Sequence, residues 1–232
     1  MTIAVEKGGR ALLLSKNGDA CNFRVALGWK TAAPGDAEMD LDVHLFLVKP
    51  TGQVDKEGNP IKKVASEANL VYWGSELRTE DRKTTFIDTT RINVNRGLVK
   101  KGFPSSPNCG IVHMGDNLTG TSDGSAAEQA YITPELIPAG SGDECVIIVE
   151  IADAVRKRQT FAMVKDAFIE IYDADGAPSD APIARYELKA DFGAHTSAHF
   201  GSVWLDKETP EFEAVGEPYN KSLSDYVELY VY

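Results

Sequence analysis

The strongest constraint on this chain is its rhythm. Short stretches at 22–29, 41–48, 69–73, 111–114, 145–151, 167–172, 183–188 and 198–204 alternate apolar with polar residues, and Gly, Pro, Asn and Asp separate them. A period of two places alternate side chains on opposite faces, which suits a strand buried on one side, and most of the stretches carry β-branched or aromatic residues. The expected fold is all-β, a sandwich of two packed sheets. Helix signals are confined to 159–165 and to 221–229, the latter with Ser222 or Asn220 as cap, so helices should be short accessories. A length of 232 residues suits one sandwich domain spanning 1–232.

One segment departs from the rhythm. Residues 74–107 open with the charged "SELRTEDRK", continue through "TTFIDTTRINV" and close with "KGFPSSPNCG". We read them as an insertion. An unstructured loop of about thirty residues is unusual in a compact domain, so 86–94 is expected to form a hairpin or an edge strand.

The formal charge of −11 argues against nucleic acid as a partner, because that affinity rests on clustered Lys and Arg. The distribution of charge says more. No Lys or Arg occurs from 102 through 155, a stretch holding Asp116, Asp123, Glu128, Glu135, Asp143, Glu144, Glu150 and Asp153. The stretch 31–48 repeats this, with Asp36, Glu38, Asp40 and Asp42 unopposed within it. If the two segments meet, their carboxylates must be solvated, protonated or bridged by a cation.

Cys21, Cys109 and Cys145 are widely spaced and form no CxxC pair, so they suggest neither a disulfide framework nor a zinc site. The N-terminal apolar run is too short for a signal peptide, and no stretch reaches membrane-spanning length. A cytoplasmic location is therefore expected.

The most suggestive loop is "HMGDNLTGTSDG", 113–124. Asp and Asn among glycines make turns, and that is its plainest reading. Three sharper readings compete. Gly120, Ser122 and Gly124 match the G-x-S-x-G spacing of a nucleophile elbow, but the polar residues before Ser122 are not an apolar strand. Asn117 opens an N-x-T glycosylation sequon, which needs a secreted chain. Carboxylate, amide and backbone oxygens together could also bind calcium, which takes six to eight such ligands. The spacing is not that of an EF-hand, since Ser122 occupies the glycine slot. In "MDLDVHLF", Asp40, Asp42 and His44 share one strand face, which supplies a second source of carboxylates.

These residues resemble the TerD domain proteins, associated with tellurium resistance and general stress response in bacteria. The resemblance runs through "LGW" at 27–29, "DLDVHLFLV" at 40–48, "VHMGDNLTG" at 112–120, "IADA" at 151–154, "DAFIEIYD" at 166–173, "IARYELKADF" at 183–192, "HFGSVWL" at 199–205 and "FEAVGEPY" at 212–219. It implies a β-sandwich whose acidic loops at one end bind calcium, with no enzymatic activity established for the fold. By motif position the ligands would be Asp40, Asp42, Asp116, Asn117, Asp123 and Glu128, with the carbonyl of Leu118 completing the shell. This chain has "SDGSAAEQ" where the family tends toward "GDGDDE", so one strong site is expected, with a second weakened or lost. Asp153 is a candidate for that second site, or simply a cap.

The expected function is a non-enzymatic calcium-binding stress-response or tellurium-resistance protein. It would associate with other proteins, among them related resistance proteins, or peripherally with an acidic membrane face. The alternative is a metal-independent assembly module. His195 and His199 lack a third zinc ligand, and "RKRQ" at 156–159 reads as a solvated face or as ion pairs with nearby carboxylates. Trp29, Trp73 and Trp204 read as packing residues.

Overall fold

The computed structural model of the chain describes all residues except 1, 20, 34, 80–101, 124, 178–179, 189–191 and 207. In chain order the elements are β1 (Ile3–Ala4), β2 (Arg10–Leu12), β3 (Phe23–Gly28), β4 (Leu41–Val54), β5 (Pro60–Val64), β6 (Leu70–Val71) and β7 (Ile111–His113). They continue with β8 (Ala126–Ile132), β9 (Glu144–Ile151), α1 (Ala154–Lys157), β10 (Phe168–Asp173), β11 (Ala184–Glu187), β12 (Ser197–Trp204), β13 (Glu211–Glu213), β14 (Glu217–Tyr219) and α2 (Leu223–Tyr230). The all-β expectation holds: one sheet has the order β1-β11-β10-β3-β8-β7, and the other has β2-β13-β12-β9-β4-β5, with β6 paired to β4 and β14 to β12.

Alternation explains the core. Leu41, Val43, Leu45 and Leu47 of β4 and Cys145, Ile147, Val149 and Ile151 of β9 face Phe23, Val25 and Leu27 of β3 and Ile169 and Ile171 of β10. A register shift between His199 and Gly201 changes the phase of β12, so Phe200 and Val203 both reach the core. The opposite face of β4 and β9 carries Phe46, Val48, Val146 and Ile148, which α2 covers with Tyr226, Leu223 and Val227. Ser222, one of the two expected caps, starts α2 through a capping box with Asp225.

The helix expected at 159–165 is not there. Its place is taken by a 3-10 turn at Phe161–Met163, and the single turn α1 lies just before it. Asp153 (φ 59°) and Arg158 (φ 55°) are both left-handed, so they bound α1 after one turn, and Thr160 is extended. The expected strand at 69–73 shortens to β6, preceded by a 3-10 turn at Glu67–Asn69. Of the inserted segment, 86–94 lies outside the described residues. Its two ends pair with each other, Thr79 N–H donating to Phe103 O and Ser105 N–H to Leu77 O, and Phe103 packs on Val112, Met114 and Tyr131.

Candidate metal centre

The two acidic segments do meet. Asp40 and Asp42 stand at the start of β4 and Asp116 in the loop after β7, and one carboxylate oxygen of each lies within 4.8 Å of the others. Backbone geometry brings them together. His113 ends β7, Gly115 follows at φ 125°, and the turn carries Asp116 toward β4. The Asn117 side chain closes the loop, its Oδ1 accepting from Thr119 N–H (3.1 Å) and Gly120 N–H (3.0 Å).

Glu128, on β8, braces this corner. The pairing of β6 along β4 reaches only to Leu45, which leaves Val43 N–H free on that edge. Glu128 Oε2 accepts from Val43 N–H at 3.0 Å, and Oε1 accepts from Asn117 N–H at 3.1 Å. One buried side chain therefore ties the strand of Asp40 and Asp42 to the loop of Asp116. His113 is also buried. Its Nδ1 accepts from Gly115 N–H at 3.2 Å, so the proton sits on Nε2, 3.7 Å from Glu128 Oε2.

The electrostatics follow from burial of like charges. Burial, with Asp116 beside it, pushes the Asp40 carboxyl up to about 6, against the pull of Lys157. Burial, then Glu128, raises Asp42 to about 8. Burial raises Asp116, and it raises Glu128 well above the usual glutamate range. Burial lowers His113 to about 4, so it is neutral at pH 7. Asp40 Oδ1 and Asp116 Oδ1 are buried without a hydrogen-bond partner. Buried oxygens without donors, next to two other carboxylates, are the donor set of a hard divalent cation. Asp40, Asp42 and Asp116 fit calcium on that ground.

The remaining sequence candidates are placed differently. Asn117 is buried beside the group, but its side-chain oxygen already serves two backbone N–H groups. Asp123 is exposed and accepts from Ser125 N–H at 3.0 Å, and Leu118, expected to offer its carbonyl rather than its side chain, turns that side chain to solvent. Both oxygens of Glu128 are committed to backbone donors. Asp153 is paired with Arg156 at 2.5 Å. Ser122 is exposed in a turn, with a strand rather than a helix following, so the elbow geometry is absent. His199 Nε2 lies 2.9 Å from Ser202 Oγ, while His195 Nδ1 lies 3.3 Å from Phe192 O. Among the described residues these two histidines join no metal-ligating group. Trp29 is fully buried and donates to Met39 O at 3.0 Å, just ahead of Asp40.

Gly120 ends the "GDNLTG" turn at φ 74°, and a Cβ there would lie 2.6 Å from Trp29 O and 2.7 Å from its Nε1. Gly120→Ala is expected to lower stability by about 2 kcal/mol, through left-handed strain and the clash. A urea titration reads this directly, and a midpoint equal to that of the unmodified protein would contradict the packing described.

Comparison with known proteins gives one picture. The family model described as TerD domain matches residues 1–230. Tellurium resistance protein TerD of Alcaligenes sp is 27% identical over 230 residues, covering 99% of this chain and 97% of that protein. Stress response protein SCP2 of Bacillus subtilis (strain 168) is 30% identical over 232 residues and covers both chains completely. The crystal structure of a homologue of telluride resistance protein (TerD) from Streptomyces coelicolor A3(2) aligns with a TM-score of 0.54 at 12% identity, over 88% of this chain and 94% of that one. At that identity the likeness concerns the fold. Among the described residues no helix is long and apolar enough to cross a membrane.

Proposed function

The chain belongs to the TerD domain family of tellurium-resistance and stress-response proteins, and from that premise we propose that it is a non-enzymatic calcium-binding protein acting through metal-dependent association with other proteins. One observation carries the reading: Asp40, Asp42 and Asp116 converge within 4.8 Å, with buried oxygens of Asp40 and Asp116 lacking any donor. Three such carboxylates repel one another unless protons or a cation intervene. Calcium would offset two of their three charges and fix the Asp116 loop against β4, so a surface at this end of the sandwich would be ordered only when the ion is present. A cytoplasmic setting and partners among related resistance proteins belong to the same reading.

Calorimetric titration of the metal-stripped protein with calcium tests it, beside Asp42→Asn and Asp116→Asn. Micromolar binding is expected in the unmodified protein, weakened at least about tenfold in each variant, because ligand charge sets affinity. Absence of binding in the unmodified protein would leave a metal-independent assembly module on the same fold.

A further inference from the structure

Lys157 is the one residue of the basic "RKRQ" run that reaches the carboxylate group. Its Nζ lies 3.6 Å from Asp40 Oδ2, with both side chains half-buried and the lysine the more exposed. Its neighbour Arg156 is instead paired with Asp153 at the surface.

The backbone around Lys157 is anchored to the segment that leads into β4. Ala152 N–H donates to Asp40 O at 2.9 Å, Gln159 Nε2 to Glu38 O at 2.7 Å, and Lys157 N–H to Asp153 O at 2.9 Å. Its ammonium, however, rides on a flexible four-carbon stem open to solvent on one side. A single positive charge also serves three carboxylates incompletely, since Asp40 Oδ1 and Asp116 Oδ1 still lack a donor.

Building on the cation-binding reading above, we propose that Lys157 is a tethered cation for this site. It holds Asp40 when no ion is bound, and it sets the concentration at which a divalent cation enters. A divalent ion brings two charges and several coordination positions, whereas the ammonium brings one charge and three donors. On entry the ion meets the ammonium's repulsion, and the stem swings the charge into solvent. The function of Lys157 is thus a threshold: calcium must exceed a level that the carboxylates alone would not impose.

The test compares calcium titrations of the unmodified full-length protein, Lys157→Met and Arg156→Met, each read by calorimetry and by melting with and without calcium. Methionine keeps the apolar stem and removes the charge. Lys157→Met is expected to bind calcium roughly tenfold more tightly, the scale of one charge a few ångströms from a divalent ion at a partly buried site. Its metal-free form should melt lower than the unmodified protein, and its calcium-loaded form should not. Arg156→Met should change affinity by less than about twofold, because its charge is exposed and already paired. Equal affinities for Lys157→Met and the unmodified protein, or an equal gain in Arg156→Met, would overturn the threshold role and leave the calcium site standing. No binding by any of the three proteins would overturn both the threshold role and the calcium reading.

Discussion

Glu128→Ala is expected to cost about 3–5 kcal/mol of folding stability, a large effect for one substitution. Two buried backbone donors, Val43 N–H and Asn117 N–H, lose their acceptor at once. Each buried group left unpaired costs roughly 1–3 kcal/mol, and the vacated volume adds to the loss. Water cannot easily substitute, because Glu128 is only 1% exposed. Glu128→Gln separates the contributions. One amide oxygen can serve one N–H, while the amide nitrogen faces the other donor, so roughly half the loss should remain. Equilibrium urea unfolding of the metal-free proteins measures both. A loss below about 1 kcal/mol in Glu128→Ala would mean that the corner between β4 and the Asp116 loop holds without its brace.

Glu128 also marks where sequence reading stops. The β4 and β9 strands were legible because Leu41, Val43, Leu45 and Leu47, and likewise Cys145, Ile147, Val149 and Ile151, alternate cleanly with what lies between them. β8 was not. Its sequence "AAEQAYI" begins with residues of weak strand preference, and a charged residue stands at an inward position. A carboxylate pointing inward makes sense only once β4 is known to offer an unpaired N–H opposite it, a fact that lies in the tertiary pairing alone. The convergence of Asp40, Asp42 and Asp116 was legible for the opposite reason. Two segments depleted of Lys and Arg advertise carboxylates that nothing local neutralises. Lys157 escaped notice because a residue in a basic run gives no local sign of which carboxylate it will face. The left-handed Asp153 and Arg158 around α1, which aim it, are likewise invisible in residue preference.

The metal-free protein is expected to lose stability as pH rises between about 6.5 and about 8, by about 2 kcal/mol, and calcium is expected to abolish that loss. Asp42 has a folded-state value of about 8 against a usual 3.8, so in this window the folded state holds a proton that the unfolded state has released. More protons bound in the folded state make the slope of stability against pH negative. Glu128, also raised, acts in the same direction. Asp40, raised to about 6, contributes mainly below the window. There His113 opposes it: with a folded value of about 4 against a usual 6.5, it adds stability as pH rises from 4 to 6.5 and is neutral in both states above that. His199, also lowered by burial, acts in the same direction as His113, and both contributions fade above 6.5, where the raised carboxylates dominate. With calcium present, deprotonation supplies ligands, so affinity rises with pH, and about 100 times the dissociation constant of free ion adds about 2.7 kcal/mol. Urea unfolding at stepped pH, in chelator and in excess calcium, measures both curves. Asp42→Asn should flatten the chelator curve and forfeit most of the calcium gain. A metal-free curve that stays level or climbs through the window would show that Asp42 ionises without penalty, and the electrostatic case for a cation at this corner would fall with it.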